Sequence, residues 1–471
     1  MLSFEEVPVI DRNAEYRGVP PEELMENAGE KLVEVILDKF SERPVLFLCG
    51  TGNNGGDAYV AARLLRKEWE RADIMVHLVK TKKDIKSEIA AENFERFDGE
   101  VVEELEWSDI DRNTIIVDAM LGTGIKGDIR EPYRSIIKKI NGLENPVVSI
   151  DVPSGLGSDI SVRPKLTVTF HDIKEGMDIE NSGKIEIKDI GIPQEAIDHT
   201  GPGELLLYPG PRTDSHKGEN GNLLVIGGGP YTGAPVLASM AAYRTGVDLV
   251  HLAVPSSICE TVSSYSPDFL VHPLEGEKLR EEHVDKIISI ARDCDSILIG
   301  PGLGDDEDTL HAVERLIEDL NHPMVIDADA LKALRGGRNV SDEQTVLTPH
   351  RGEFEMLLEQ EVTDEEICDK ADEFAERNSL VLVVKGEEDY ITDGKDNRSN
   401  DFGNPGMTVG GTGDTLAGVI AALLSKGVSA FNSGRIGVYM TCRAGDKVFD
   451  ELKWGLIPED IIERLPTLFN E

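Results

Sequence analysis

The sequence predicts an α/β protein of two domains, each a parallel sheet covered by helices, and three observations carry that prediction. With 471 residues, 40% of them apolar, the chain is too long for one ordinary core and rich enough to build two. Strand-like and helix-like patterns alternate along its whole length, as they do where helices cross between parallel strands. The alternation breaks near 198–216, where HTGPGE and YPGPRTDSHKGENG concentrate Gly, Pro and polar residues, and then restarts. The expected domains are residues 1–205 and 206–471.

The first element, 21–40, reads as a helix because Leu24, Ala28, Leu32 and Val35 recur at helical spacing. Val45–Cys49 is a short unbroken apolar run and hence a buried strand. Residues 57–68 form the next helix, with Val60, Ala61, Leu64 and Leu65 on one face. Further strands are expected at 74–79, 115–117, Val147–Ile150 and 167–170. Beyond the break, strands are expected at Asn222–Ile226, 248–254, Ser296–Ile299, Met324–Ile326 and 380–384, and the run LAGVIAALLSKG at 416–427 is a helix.

Charge narrows the function. Lys and Arg number 48 against 89 Asp and Glu, a net charge of −41. Such a surface repels nucleic-acid phosphates and anionic lipid, so neither is an expected partner. It is also the surface of a protein that stays hydrated in concentrated salt. Cys49, Cys259, Cys294, Cys368 and Cys442 are scattered and form no C-x-x-C pair, which indicates neither a zinc site nor a disulfide framework. They fit small buried side chains in a reducing cytoplasm. The start MLSFEEVPVIDR has neither the basic region nor the apolar core of a secretion signal. No uncharged apolar run approaches the about 18 residues of a membrane span. A soluble, cytoplasmic enzyme is expected.

Chemistry concentrates at strand ends. Gly50-Thr-Gly-Asn-Asn-Gly-Gly-Asp57 lies between a buried strand and a helix. Its glycines permit positive φ and let backbone N–H groups approach an anion at the helix N-terminus. Gly50, Gly52 and Gly55 match the dinucleotide fingerprint only weakly, since the next strand runs into Lys80-Thr-Lys-Lys83 instead of an acidic residue. The plain alternative is a tight turn with Asp57 capping the helix. Val117-Asp118-Ala-Met-Leu-Gly122-Thr-Gly124 and Ile150-Asp151-Val-Pro153-Ser154-Gly155 likewise end strands with a carboxylate and a Gly-rich loop. Ligands of open parallel sheets bind beyond such ends, so the three share one expected cleft.

LMENAG at 24–29, NNGGD at 53–57, VDAMLGTG at 117–124, DVPSGL at 151–156 and TVTFHDIKEGM at 167–177 resemble the epimerase domain of NAD(P)H-hydrate repair enzymes. The resemblance covers about residues 1–200 and implies a Rossmann-like fold. It implies a cleft for hydrated NADH or NADPH that interconverts the R and S epimers at ring carbon 6, with Asp151 as the proton-transferring carboxylate. It further implies a potassium ion on Asn54, Asp118 and Ser154, whose hard oxygen donors suit such a cation. Asn53, Asn54, Gly55, Gly56 and Asp57 match the ligand-binding loop, and Gly122, Thr123, Gly124, Ile125, Lys126, Gly127 and Asp128 the ligand-phosphate loop. Thr51 replaces the family's usual Pro, and Ala58 stands where Gly is common; both flank the motif.

In the second half, Asn404-Pro-Gly-Met-Thr-Val-Gly410-Gly-Thr-Gly413-Asp414 opens a helix. A Gly-rich turn there makes an anion hole from backbone donors and the helix dipole, and Asp414 can act as general base toward a hydroxyl. The chain has no G-x-x-x-x-G-K-[ST] motif. The turn resembles that of ribokinase-like small-molecule kinases. Together with Gly300-Pro-Gly302-Leu-Gly304, Asp327-Ala-Asp329, Thr348-Pro-His350-Arg-Gly-Glu353, Val384-Lys385-Gly386 and the stretch GNLLVIGGGPYTGAPVLASMAAYRTG at 221–246, it closely resembles the dehydratase domain of the same repair enzymes. That resemblance runs from about residue 205 to the end and implies a ribokinase-like α/β domain. Ala234, Gly302 or Gly304, His350 and Asp414 would contact the hydrate, and Lys385, Gly386, Glu387, Glu388, Asp389 and Gly413 the adenine nucleotide. The acidic run 387–389 departs from the family's small or hydroxyl residue, and three carboxylates there weaken nucleotide binding unless they turn away or are screened by salt or Mg²⁺.

The resemblance joins the halves. The second domain would phosphorylate the S epimer's hydroxyl from ADP or ATP, with Mg²⁺ neutralising charge; ADP is the expected donor. Loss of phosphate restores the double bond, AMP and phosphate are released, and the first domain supplies the S epimer. A homo-oligomer is expected. Two other readings stay open: a ribokinase-like small-molecule kinase with an accessory non-catalytic ligand-binding domain, which would leave a stable phosphorylated product, and an RNA-processing interaction module, against which the charge of −41 argues.

Overall fold

The computed structural model describes residues 1–124, 127–336 and 344–470. Two compact units divide the chain, Met1–Ala196 and a second that begins at Ile197.

Seven strands build one parallel sheet in the first unit: β1 (Val45–Cys49), β2 (Ile74–Leu78), β3 (Glu100–Val102), β4 (Ile115–Ala119), β5 (Val147–Ile150), β6 (Leu166–Phe170) and β7 (Lys184–Lys188). Their order is β3-β2-β1-β4-β5-β6-β7. The chain winds from β1 outward to β3 and then returns to β4 on the other side of β1. Connections therefore leave the carboxyl ends of β1 and β4 in opposite directions and open a crevice between them. β1, β4 and β5 are buried along their whole length because both sheet faces are covered. Helix Pro21–Lys39 lies so close to helix Asn53–Glu68 that a Cβ on Gly29 would meet Val60 Cγ1 at 2.4 Å.

Two local expectations change. The second of these helices starts at Asn53, not at 57, so the Asn-Asn-Gly-Gly segment is itself the first helical turn. Gly50, Gly52, Gly55 and Gly56 also keep ordinary φ angles. What Gly50 and Gly55 supply is room: a Cβ on Gly50 would sit 1.8 Å from Met120 O, and one on Gly55 2.4 Å from Gly50 O.

The second unit has a nine-stranded sheet: β8 (Asn222–Ile226), β9 (Leu249–Pro255), β10 (Leu270–Leu274), β11 (Ser296–Ile299), β12 (Met324–Ile326), β13 (Thr345–Leu347), β14 (Val381–Val384), β15 (Asp389–Thr392) and β16 (Asn397–Asn400). The order is β10-β9-β8-β11-β12-β13-β14-β15-β16. The pairings from β10 through β14 are parallel, and β15 and β16 add antiparallel edges. The topological switch lies between β8 and β11. Helix Thr412–Ser425, buried at every position from Thr415 onward, packs against helix Gly233–Thr245, where a Cβ on Gly418 would stand 2.1 Å from Ala238 O.

Residues 197–205, expected as the tail of the first domain, are held by the second. Thr200 N donates to Ser399 O at 2.8 Å and Thr200 Oγ1 to Asn400 Oδ1 at 2.7 Å. The Glu204 carboxylate meets the Arg435 guanidinium at 3.1 Å, and both are buried. Cys49, Cys294 and Cys442 are buried, Cys259 and Cys368 partly so, and all five are free thiols. Among the described residues no helix is long and apolar enough to cross a membrane.

Candidate active sites

At the crevice of the first unit, the Asp118 carboxylate near the end of β4 is fully buried. Ser149 Oγ and Ser154 N donate to its Oδ2 at 2.8 and 2.9 Å, and Ser154 Oγ donates to its Oδ1. Ser154 Oγ also accepts from Leu121 N at 2.9 Å, while Asn54 Nδ2 donates to Leu121 O at 3.3 Å. Asn54, Asp118 and Ser154 are thus brought together around the Leu121 backbone. Burial pushes the Asp118 carboxyl up against the pull of the serine bonds. No basic side chain pairs with Asp118 among the described residues, and Asn54 Oδ1 is buried without a donor. A buried negative charge beside a spare amide oxygen is the chemistry of a hard-cation site.

Asp151 follows β5 in the left-handed region, at φ +60°. Thr169 Oγ1 and Phe170 N approach its Oδ1 at 3.4 and 3.3 Å, and the Lys174 ammonium contacts the same oxygen. Two further carboxyls belong to this cluster. Burial, then Asp151 and Asp11, push Asp57 well up; burial and Asp151, opposed by Lys174, push Asp11 up to about 6. Asp57 lies a turn inside its helix, whose start at Gly52 has no side-chain cap, so the capping alternative fails. Of the ligand loops, Gly55 and Gly56 are buried, Asn53, Gly124, Gly127 and Asp128 are exposed, and Gly122 and Thr123 lie between. A Cβ on Gly122 would touch Asn54 Cβ at 3.7 Å, so the two loops adjoin. Ile125 and Lys126 lie outside the described residues.

The second unit has a cavity of about 580 Å³ at its switch point, lined among others by Tyr231, Ala234, Gly302, Asp329, Gly411 and Asp414. Gly411, at φ +103°, turns the chain into helix Thr412–Ser425, which aims its first backbone N–H groups and Asp414 at this end of the sheet. Burial, with Asp327 and Asp329 and against Lys385, pushes the Asp414 carboxyl up to about 7. Asp327, buried, accepts from Thr348 Oγ1 at 2.7 Å and holds Lys385 Nζ at 2.9 Å. A Cβ on Gly413 would lie 3.4 Å from that ammonium, which therefore stands under the helix N-terminus. Gly304 N donates to Asp329 Oδ2 at 2.8 Å.

Not every expected residue faces the cavity. His350 caps helix Arg351–Leu358: its Nδ1 accepts from Glu353 N at 3.2 Å, and its ring is largely exposed beside the Lys385 strand end. Gly386, Glu387 and Glu388 are exposed. Asp389 turns inward, where it accepts from Gly386 N at 3.0 Å and from Asn400 Nδ2 at 3.2 Å, so its carboxylate ties the loop between β14 and β15 to β16. Sequence reasoning missed Asp11 and Lys174 in the first site and Asp327, Thr348 and Tyr231 in the second. All but Asp11 stood in motifs or strand-end runs already singled out in the sequence.

Known proteins line up with both units. A family model described as NAD(P)H-hydrate dehydratase matches residues 223–467, and one described as YjeF-related protein N-terminus matches residues 21–176. A bifunctional NAD(P)H-hydrate repair enzyme of Methanothermobacter thermautotrophicus is 39% identical over 491 residues, covering 98% of this chain and 93% of that protein. Its counterpart in Pyrobaculum aerophilum is 39% identical over 499 residues, covering 99% and 97%. A solved ribokinase-like superfamily protein of Enterococcus faecalis is 25% identical with a TM-score of 0.51, covering 58% of this chain and 95% of its own.

Proposed function

Because the chain belongs to the family of bifunctional NAD(P)H-hydrate repair enzymes, we propose that it epimerises hydrated NADH and NADPH in its first domain and dehydrates the S epimer in its second, consuming ADP or ATP. The observation that carries this reading is the presence in one chain of two differently equipped acid–base sites: Asp151 against a lysine at a sheet crevice, and Asp414 behind a glycine turn above Lys385.

In the first site the hydroxyl of the hydrate sits on a carbon that also bonds the ring nitrogen. The Asp151 carboxylate takes the hydroxyl proton as the carbon–nitrogen bond opens to an aldehyde and a conjugated nitrogen anion. Reclosure on the opposite face returns the proton and gives the other epimer. Asn54, Asp118 and Ser154 fit a potassium ion, since the orphaned Asn54 oxygen and the uncompensated Asp118 charge await a cation. That ion would supply positive charge where the loops converge.

In the second site Asp414 takes the proton of the S-epimer hydroxyl, whose oxygen bonds the terminal phosphorus as the bond to the leaving nucleotide breaks, AMP from ADP or ADP from ATP. Lys385 and the amides after Gly411 hold the transferring phosphoryl group. Phosphate then departs with its bonding electrons, a neighbouring ring carbon gives up its proton to that phosphate, and the double bond is restored. Mg²⁺ would enter with the nucleotide, whose phosphate oxygens suit it, and would neutralise their charge.

The test is incubation of mixed-epimer hydrate with ADP or ATP while following the absorbance of reduced nicotinamide and the release of inorganic phosphate. Full recovery with stoichiometric phosphate is expected. With Asp151→Ala the trace should stop after the S fraction and continue only at the uncatalysed epimerisation rate. A stable phosphorylated product in place of phosphate would mean a small-molecule kinase.

A further inference from the structure

Among the described residues of the first unit, Lys174 is the only buried lysine or arginine. It enters from the loop after β6, and its ammonium is tethered to the scaffold by Phe170 O at 2.6 Å and Thr169 Oγ1 at 3.1 Å. Its third partner is the Asp151 carboxylate. The same two residues, Thr169 and Phe170, also reach Asp151 directly. Asp151 is thus held on one side by the end of β6, and its own backbone lies in the left-handed region.

The surroundings show why a cation is needed. Asp11 on helix Glu6–Tyr16 and Asp57 on helix Asn53–Glu68 face Asp151, and among the described residues Lys174 supplies the positive charge that acts on them. A buried lysine so tethered is a poor device for stability, because desolvating the pair offsets most of its attraction.

We propose that Lys174 is a positioning residue of the epimerase, whose tethered ammonium holds the Asp151 carboxylate in the orientation from which it takes the hydroxyl proton. This rests on the reading of Asp151 as the epimerase base. Without the ammonium, three carboxyls face one another and the proton is retained by the cluster up to higher pH. The burial-raised Asp57 and Asp11 carboxyls already show the field that Lys174 offsets.

The experiment uses the full-length enzyme with Lys174→Met, Lys174→Gln, Lys174→Arg and Asp151→Asn, and reads epimerisation of the R form across pH. Turnover of pure S epimer by the second domain serves as the internal control. Met and Gln are expected to lower epimerase kcat by about 10²-fold with KM within about threefold, and to move the acid limb of the profile to higher pH by about one pH unit. Arg should keep the wild-type limb, and S-epimer turnover should be unchanged throughout. If Met fails to fold, as shown by a lost melting transition, Gln decides, since its amide can still donate to Phe170 O. Wild-type kcat in Gln, or a lowered kcat with the acid limb unmoved, overturns the proposal, the latter by marking Lys174 as merely structural. Wild-type epimerisation in Asp151→Asn would instead overturn the assignment of Asp151 on which it rests.

Discussion

Opposing influences meet at Asp414. Burial and two neighbouring aspartates raise its carboxyl, Lys385 pulls it back, and the balance stands at about 7. Such a base is only partly ionised at neutral pH, so kcat/KM for dehydration should climb as pH rises through about 7 and then level. Asp414→Asn should abolish that rise and lower turnover by roughly 10²-fold. Nucleotide Kd by calorimetry should stay near wild type, because the backbone donors after Gly411 remain; a tenfold weaker Kd would place Asp414 in nucleotide binding instead. Asp414, Asp118 and Ser154 were legible in the sequence because glycine-rich strand ends leave a local signature. Asp11 and Lys174 were not. An aspartate on an amphipathic helix and a lysine in a loop look like ordinary surface charge until the fold brings them to Asp151.

Elements position these groups by how closely they pack. Helix Thr412–Ser425 brings Asp414, and helix Gly233–Thr245 brings Ala234, to one cavity because Gly418 allows the two backbones to touch. Gly418→Ala would drive a methyl into Ala238 O, now 2.1 Å from that Cβ position. The expected loss is about 1–3 kcal/mol, read as a lower urea midpoint at unchanged slope, together with slower S-epimer turnover. Unchanged stability would mean that the helices part freely. Central strands were legible as unbroken apolar runs, since both faces of a parallel sheet are covered. The edges were not: β3 has three residues, β7 alternates lysine with isoleucine around Glu186, and β16 reads Asn-Arg-Ser-Asn. The helix at Asn53 begins in glycine and asparagine, poor helix formers that are tolerated where the first N–H groups are left free for a ligand.

Across the whole molecule the net charge of −41 sets a cost of self-repulsion that salt relieves. Raising KCl from about 0.1 to about 1 M should therefore raise Tm, and a flat or falling Tm would show that the carboxylates are already compensated. Composition and two alternations of strand and helix made the two-unit plan legible, whereas Gly and Pro density marks a turn and not an allegiance: the compact units part at Ala196/Ile197, nine residues before the expected 205/206. Thr200 and Glu204 lie in that turn-rich stretch and belong to the later unit. The position of the seam matters to anyone dividing the gene. Two open reading frames meeting at 196/197 would keep Glu204 and Arg435 on one polypeptide. A division at 205/206 would strand Glu204 on the wrong polypeptide, strip the buried Arg435 of its carboxylate and cost the later fragment on the order of 3–5 kcal/mol. The first pair of fragments should give a dehydratase that melts near the parent, and the second a fragment that melts well below it; equal melting of the two would show that the Glu204–Arg435 pair is dispensable.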